Sequence, residues 1–337
     1  MIPKVTVLTS VFNGAPFLDA AIESIHGQTF VDFEYLLVDD ASTDETPAIL
    51  AAWASRDPRI IVIRNACNMG LTRSLNKGIR MARGQWIARQ DADDISLPER
   101  LERQVGYLAL QPTVGLLGTG AWLMDERGML DPQPRSGPLD HAMICWHLLF
   151  FNPFFHSSVM FLRDLAYTYD ETLRFGQDFE LWGRLLTRTC GANLVEPLVC
   201  LRRHASRVSA VYYQQQQEIA LGIVHQRCRG VLPDDAWSDQ EMQMVRTMAV
   251  SAWPVQGETL RATLLLLKIF QRFERQGRFE SQQLDRLRNQ LMERLWRSVL
   301  GFGSMREKWI LFGAMGRYLG GLGMLRSLKG LMKRTFL

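Results

Sequence analysis

The sequence predicts an α/β protein, with a mostly parallel sheet flanked by helices over residues 1–210 and a helical extension over residues 211–337. Three observations lead there. Short β-branched apolar runs recur, each followed by a segment of helical periodicity, which is the pattern of strand–helix–strand units in a parallel sheet. These runs end in polar, acidic loops, at the edge where open α/β sheets take their ligands. From Val211 onward the strand runs stop and only helical spacing remains.

The elements follow in order. Val5-Thr6-Val7-Leu8-Thr9-Ser10-Val11 reads as a buried strand, Phe12-Asn13-Gly14 as a turn, and Pro16 as the opening of a helix to about Gly27 with Leu18, Ile22 and Ile25 on one face. A second strand, Tyr35-Leu36-Leu37-Val38, ends in Asp39 and Asp40. Ser42 or Thr43 is expected to cap the next helix, with Asp44 and Glu45 favourable in its first turn. Ile60 to Ile63 is the third strand, residues 64–70 a loop, and Leu71 to Arg83 a helix that Gly84 is expected to terminate. The fourth strand, Trp86-Ile87-Ala88, runs into Asp91-Ala92-Asp93-Asp94. Pro98 then opens a helix with Glu99, Arg100 and Arg103 on its polar side.

Three carboxylates within four residues repel one another unless a cation sits between them. Hard divalent cations take oxygen ligands, and Mg²⁺ is usually held by one or two carboxylates plus substrate phosphates. The strand end therefore predicts a metal–diphosphate site, with a solvated helix-capping loop as the plain alternative. The loop after the first strand lacks Gly-x-Gly-x-x-Gly, and Gly-x-x-x-x-Gly-Lys-Ser/Thr is absent from the chain. Both absences count against a dinucleotide oxidoreductase and a P-loop NTPase.

Composition sets further bounds. The 337 residues are 47% hydrophobic, enough for one large domain and a smaller one. Met1-Ile2-Pro3-Lys4 runs straight into a strand pattern with no apolar leader, and no apolar run is long enough to span a bilayer. Five scattered cysteines without Cys-x-x-Cys spacing suggest reduced thiols and a cytoplasmic protein. The net charge is +4, but Gly301–Leu337 alone carries +6, leaving −2 for residues 1–300. Within that basic tail Leu311, Met315, Tyr318, Leu322 and Leu325 have helical spacing among Arg317, Arg326, Lys329, Lys333 and Arg334. Such a helix is expected to lie on an anionic membrane surface, putting the protein peripherally on the inner face of the cell membrane; packing against the catalytic domain is the alternative. No recognised nucleic-acid module accompanies the basic residues, so no nucleic-acid partner is expected.

Val5 to Gly14, the Val38-to-Thr46 loop, Asn68 to Leu71 with Asn76 to Ile79, and Ile87 to Leu101 together resemble the successive motifs of family 2 glycosyltransferases. These are nucleotide-sugar-dependent enzymes of the Rossmann-like GT-A fold. The likeness covers roughly residues 3–210 and is of the bacterial polysaccharide-biosynthesis type. It implies an inverting, metal-dependent hexosyltransferase that moves a sugar from a nucleotide-sugar donor, expected to be a UDP-sugar, to a hydroxyl of a glycan or lipid-linked acceptor.

Carried over by position, the resemblance gives Asp40 to the uracil, Asp91 to the ribose and Asp93 to a Mn²⁺ or Mg²⁺ cofactor. Thr9, Val11, Asn13, Asn68 and Arg73 fill out the donor site. Phe175 to Leu186 matches the segment whose Asp is the general base, here Asp178, with Gln177 in place of the usual Glu. His156, Gln177 and Trp182 fall on the acceptor side. Cys200 to Ser209 resembles the Arg-x-His and Ser stretch that closes the catalytic domain, which makes His204 a further metal ligand and Arg202, Arg203 and Arg207 candidates for the diphosphate.

Without the resemblance, Asp178 is a helix-dipole acid, His156 a hydrogen-bonded core residue, and residues 200–209 a solvated basic loop. Two other classes were weighed. A nucleotidyltransferase is disfavoured because Phe12 to Pro16 holds no basic residue to grip a triphosphate. An inactive membrane-associated scaffold is disfavoured because Asp93 and Asp178 are both present.

Overall fold

A computed structural model of the chain describes residues 2–165, 168–205, 207, 211–250, 260–301 and 305–319. Eight strands form one mixed sheet in the order β3-β2-β1-β4-β7-β6-β8-β5. They are β1 (Val5–Val11), β2 (Phe33–Asp39), β3 (Ile60–Arg64), β4 (Trp86–Arg89), β5 (Ile95–Ser96), β6 (Val114–Met124), β7 (Met160–Leu162) and β8 (Cys190–Arg202). The first four pair in parallel. β7 runs antiparallel between β4 and β6, β8 is parallel to β6, and β5 is antiparallel to β8. Every residue of β1 and β2 is buried, which is why both read as continuous apolar runs rather than alternating ones.

Register brings the candidate site together. Val11 pairs with Asp39, and Leu8 with Arg89, so the carboxyl ends of β1, β2 and β4 share one edge. Asn13, Asp40 and Asp91 follow directly from those ends. Helices α1 (Ala15–His26), α2 (Thr46–Arg56), α3 (Leu71–Met81), α4 (Arg100–Leu110) and α6 (Gln177–Leu185) accompany the sheet. Leu18, Ile22 and Ile25 of α1 pack with Val5, Val7, Tyr35 and Leu37 in one core, as their spacing predicts.

Three local expectations are corrected. Neither Ser42 nor Thr43 caps α2. Ser42 Oγ accepts the Asn13 N–H at 3.0 Å, and Asn13 Oδ1 accepts the Thr43 N–H at 2.8 Å, so the two loops clasp each other. Asp44 serves the helices instead, accepting from Thr46 N at 3.0 Å and from Ala15 N at 3.1 Å. Gly84 is not the C-cap of α3, which ends at Met81 with Ala82 following. Its reason is space, since a Cβ there would stand 2.4 Å from Thr6 N of β1. Arg100 is not on a polar face. It is fully buried, because its guanidinium reaches main-chain and amide acceptors where β4 and β7 meet.

The chain divides into two compact units, Met1–Leu139 with Asn152–Gln216, and Asp140–Phe151 with Gln217–Leu337. The second contains α5 (His141–Leu148), most of α7 (Tyr213–Val231), and α8 (Asp239–Val250), α9 (Leu260–Glu274), α10 (Ser281–Gly301) and α11 (Met305–Leu319). Its core includes Trp146, which meets Phe150, Phe270 and Phe273 edge-on at 5.1–5.5 Å. The eight residues of α5 therefore group with the helical extension, against the continuous 1–210 domain expected from sequence; their periodicity alone does not reveal which core they join.

In α11 the residues expected to face a membrane turn inward, since Leu311 and Met315 are fully buried and Tyr318 half-buried. Leu322, Leu325, Arg326, Lys329, Lys333 and Arg334 lie outside the described residues. No described helix is long and apolar enough to cross a membrane, and the five cysteines are free thiols.

Candidate active site

Asp40 leaves β2 and is almost wholly buried. One oxygen accepts from Asn65 Nδ2 and Met69 N, the other from Gly70 N, all at 2.8 Å. Asp40 thus shapes the Asn68–Gly70 loop, and of the roughly four acceptor positions on a carboxylate one remains for a ligand N–H. Asn68 caps its own turn, with Oδ1 3.2 Å from Gly70 N. Arg73 stands in solvent, 59% exposed and 3.4 Å from Glu171.

Two donor-site expectations do not hold for side chains. The Thr9 hydroxyl is fully buried, donating to Gln90 O at 2.8 Å and lying 3.0 Å from Tyr35 Oη. Val11 is 3% exposed. Both sit in β1, where every side chain is buried in the sheet. Asn13, by contrast, is exposed, with φ of 51°, at the clasp between the first two loops.

The acidic loop after β4 is braced from three sides. Arg89, fully buried, donates to Leu8 O and Gln90 O and ion-pairs with Asp91. Burial works to raise the Asp91 pKa, but Arg89, His156, Ser157 and Arg207 hold it below the ordinary value. Ser157 Oγ lies 2.7 Å from Asp91 Oδ2, accepts the Asp91 N–H at 3.1 Å and also bonds Asp94 Oδ2. A serine has one hydroxyl proton, so two carboxylates around it need a second proton. Asp94 is its place. Burial first, then Asp93 and Asp91, push its pKa up to about 8, while its other oxygen accepts from Arg202 N at 2.8 Å.

The folded state thus keeps a proton that an unfolded Asp releases above about pH 4, and the contribution of Asp94 to stability declines between about pH 4 and pH 8. Asp94→Asn copies the neutral acid. The variant is expected to melt with wild-type Tm at pH 4.5 and to equal or exceed wild type at pH 8. A lower Tm at pH 8 than at pH 4.5, each relative to wild type, would show that the carboxylate form is the native one.

Asp93 faces outward, 30% exposed, and its Oδ2 is 2.9 Å from His204 Nε2. His204 is held against the Phe17 ring at 5.0 Å, and Arg202 lies over the same ring. Among the described residues no group of three or more His, Cys, Asp and Glu has metal-binding placement. A carboxylate oxygen and an imidazole nitrogen side by side nonetheless suit a cation that draws its remaining ligands from a diphosphate and water. Of the three expected diphosphate arginines, Arg202 is buried and donates to the carbonyls of Asp93 and Glu126 at 3.0 Å, and Arg203 pairs with Asp131. Arg207 alone adds positive potential at Asp91. Of the stretch 200–209, residues 200–202 end strand β8 and residues 203–205 lie outside any helix or strand; Ser206 and Ser209 fall outside the described residues.

Gly176, in the left-handed region at φ 70°, lets the chain turn sharply into α6, whose second residue is Asp178. Asp178 Oδ2 accepts from Asn152 Nδ2 at 2.6 Å. His156 Nε2 is 2.9 Å from Tyr169 Oη. Burial and Arg89 lower the His156 pKa while Asp91 and Asp178 act to raise it, so one imidazole senses both carboxylates. Trp182 is not an acceptor-facing residue. It is fully buried, its ring 5.9–6.4 Å from Phe154, His156, Phe161 and Tyr169, forming the floor under His156. Gln177 is also buried, its Oε1 without a hydrogen bond among the described residues.

Arg89, Asn152, Ser157 and Tyr169 are structural partners of this site that sequence reasoning did not single out. Arg89 had a signal, a cation ending a buried strand just before three acids. The other three act across long sequence separations, with no local pattern to mark them.

Residues 6–162 match the family model described as Glycosyl transferase family 2. An uncharacterized glycosyltransferase of Haemophilus influenzae is 33% identical over 230 residues, which cover 65% of this chain and 71% of the relative. The amylovoran biosynthesis glycosyltransferase AmsE of Erwinia amylovora is 33% identical over 211 residues, 60% of this chain and 78% of the relative. Two solved structures share the fold at low identity. S. aureus TarS 1–349 in complex with UDP-GlcNAc has a TM-score of 0.57 at 15% identity, over 94% of this chain and 92% of that one. The mannosyltransferase PcManGT of Pyrobaculum calidifontis in complex with GDP-Man and Mn²⁺ has a TM-score of 0.51 at 16%, over 96% and 88%. With its mixed sheet of GT-A type and the acidic loop at the carboxyl edge of that sheet, the chain belongs to the family 2 glycosyltransferases and is a glycosyltransferase.

Proposed function

We propose that the chain is an inverting, metal-dependent transferase that moves a sugar from a UDP-sugar to a hydroxyl of a glycan or lipid-linked acceptor, in bacterial polysaccharide synthesis. The observation that carries this reading is His156, which lies in the electrostatic reach of both Asp91 and Asp178. A donor-side carboxylate, bonded by Ser157, and a half-buried carboxylate at a helix start, bonded by Asn152, are thus both held by one short segment around His156.

In this reading Asp40 accepts the pyrimidine N3–H with its remaining lone pair, a contact uracil offers and cytosine does not. Asn13, Asn68 and Arg73 border the nucleotide, and Asp91, fixed by Arg89 and Ser157, receives the ribose hydroxyls. Asp93 and His204 would hold Mn²⁺ or Mg²⁺, which when bound neutralises the diphosphate leaving group. Arg207 adds positive charge on the same side. Asp178, oriented by Asn152, takes the proton of the acceptor hydroxyl as its oxygen bonds C1 and the C1–O bond to the diphosphate breaks on the opposite face. His156 and Gln177 border the acceptor. The unit of Met1–Leu139 with Asn152–Gln216 is the catalytic region, and the basic C-terminal region docks the protein at the inner face of the membrane.

Calorimetric titration with UDP, dTDP, GDP and CDP, with and without Mn²⁺ or Mg²⁺, tests the donor half. UDP is expected to bind only with metal, and Asp93→Ala to weaken that binding about tenfold or more. Preference for GDP would overturn the assignment to Asp40, and unchanged metal dependence in Asp93→Ala would remove Asp93 as a ligand.

A further inference from the structure

Helix α11 has two faces, and the outward one is not what a helix end in water requires. Leu311, Ala314 and Met315 are fully buried on one side. On the other, Trp309 is 67% exposed and Phe312 37%, with Gly313 also exposed. The Trp309 ring meets Phe312 edge-on at 6.0 Å, so the two aromatic rings form one ridge along the helix. At 100° per residue, Phe312, Gly316, Trp309 and Gly313 span one arc of about 100°. Arg306 and Arg317, both exposed, border one flank of that arc, and Lys308 borders the other. The only acid in the helix, Glu307, falls near the buried side. Aromatic residues between cations, with no carboxylate among them, match the chemistry of an anionic bilayer interface: rings at headgroup depth, ammonium and guanidinium groups on the phosphates. The helix is too short and too polar to cross the bilayer.

We infer that α11 docks the protein on an anionic lipid surface through the Trp309 face. This deepens the membrane placement proposed above, since it names the face: not the Leu311–Met315 stripe, which is core, but the opposite one. It does not depend on the identity of the donor.

The test is co-sedimentation of the full chain with vesicles of pure phosphatidylcholine and of phosphatidylcholine with 30% phosphatidylglycerol (about one anionic lipid in three). The wild type is expected to pellet with the anionic vesicles only, and less so as salt is raised. Trp309→Ala with Phe312→Ser is expected to weaken partitioning by about tenfold or more, the two side chains together losing the burial that drives insertion. Because both residues are exposed, the variant should keep the wild-type Tm and the wild-type affinity for UDP. Wild-type failure to pellet overturns the inference. So does undiminished pelleting of the variant, which would leave the basic segment after residue 319 as the anchor. If wild type is a larger oligomer than the variant by light scattering, and neither pellets, the face covers a second copy instead. Loss of UDP binding with vesicle binding intact would strike the donor reading and leave this one standing.

Discussion

Asp178→Asn is expected to abolish sugar transfer, lowering kcat by on the order of 10²–10⁴, while UDP affinity stays within about twofold of wild type. The substitution keeps the size of the side chain and an oxygen that can accept from Asn152 Nδ2. It removes only the basicity, so a loss reports proton transfer rather than collapse of the cleft. Donor affinity is the control, because the groups assigned to the nucleotide hang from the ends of β1 to β4 and the start of α3, whereas Asp178 comes from α6. A fall in kcat with little change in donor binding is the signature of an interaction made in the transition state. Transfer at near wild-type rate would remove Asp178 from the mechanism and point to another acceptor-side group. Asn152→Ala supplies a graded companion. It leaves the base present but unoriented, and kcat is expected to fall by about tenfold.

The fold was legible because β1, β2 and β4 are buried on both faces and β1, β2 and β3 are each followed directly by a helix. The strand and helix patterns both survive in the sequence without knowledge of contacts. The acids at the strand ends were legible for the same reason, since a carboxylate after a buried strand is placed by the strand itself. What failed was decided by distant partners. Thr9 looks like a donor-side hydroxyl until Gln90 and Tyr35 are found to hold it. Trp182 reads as a face residue of α6, and only the rings of Phe154, His156, Phe161 and Tyr169 show that it is enclosed. The His204–Asp93 pairing spans 111 residues and was reached through the family pattern, not through local spacing. In the helical half a stripe of apolar residues told that α11 has a buried face but not that the opposite face is also apolar, because Trp309 and Phe312 lie off the stripe.

Arg100→Met is expected to destabilise the sheet unit by about 3–5 kcal/mol, the range for removing one partner from a buried charged network. Methionine fills much of the volume, so the loss comes from unmet polar groups rather than from a cavity. Arg100 Nη1 donates to Gln90 Oε1 at 3.0 Å and Ser96 Oγ at 2.9 Å, Nη2 to the carbonyls of Arg89 at 2.8 Å and Val159 at 3.3 Å, and Nε to Gln104 Oε1 at 3.2 Å. Without it the carbonyls of Arg89 and Val159 and the Gln90 amide oxygen each lose a buried donor. Val159 O keeps the Arg89 N–H at 2.9 Å and Gln90 Oε1 the Ser96 hydroxyl at 2.8 Å. An acceptor left wholly unpaired costs about 1–3 kcal/mol. The guanidinium itself is held uneasily, since burial and the neighbouring Arg89 push its pKa below the ordinary value. Two buried cations side by side are tolerated because the ionised Asp91 carboxylate stands close by. The network therefore ties fold to site. Gln90 donates to Asp94 O at 2.6 Å and precedes Asp91 directly, so slackening at Arg100 passes into the acidic loop. Urea unfolding followed by near-ultraviolet circular dichroism measures the loss, and UDP titration below the transition measures the loop. A destabilised variant with intact metal-dependent UDP binding would separate the two roles and show that Arg100 holds the sheet without setting the loop.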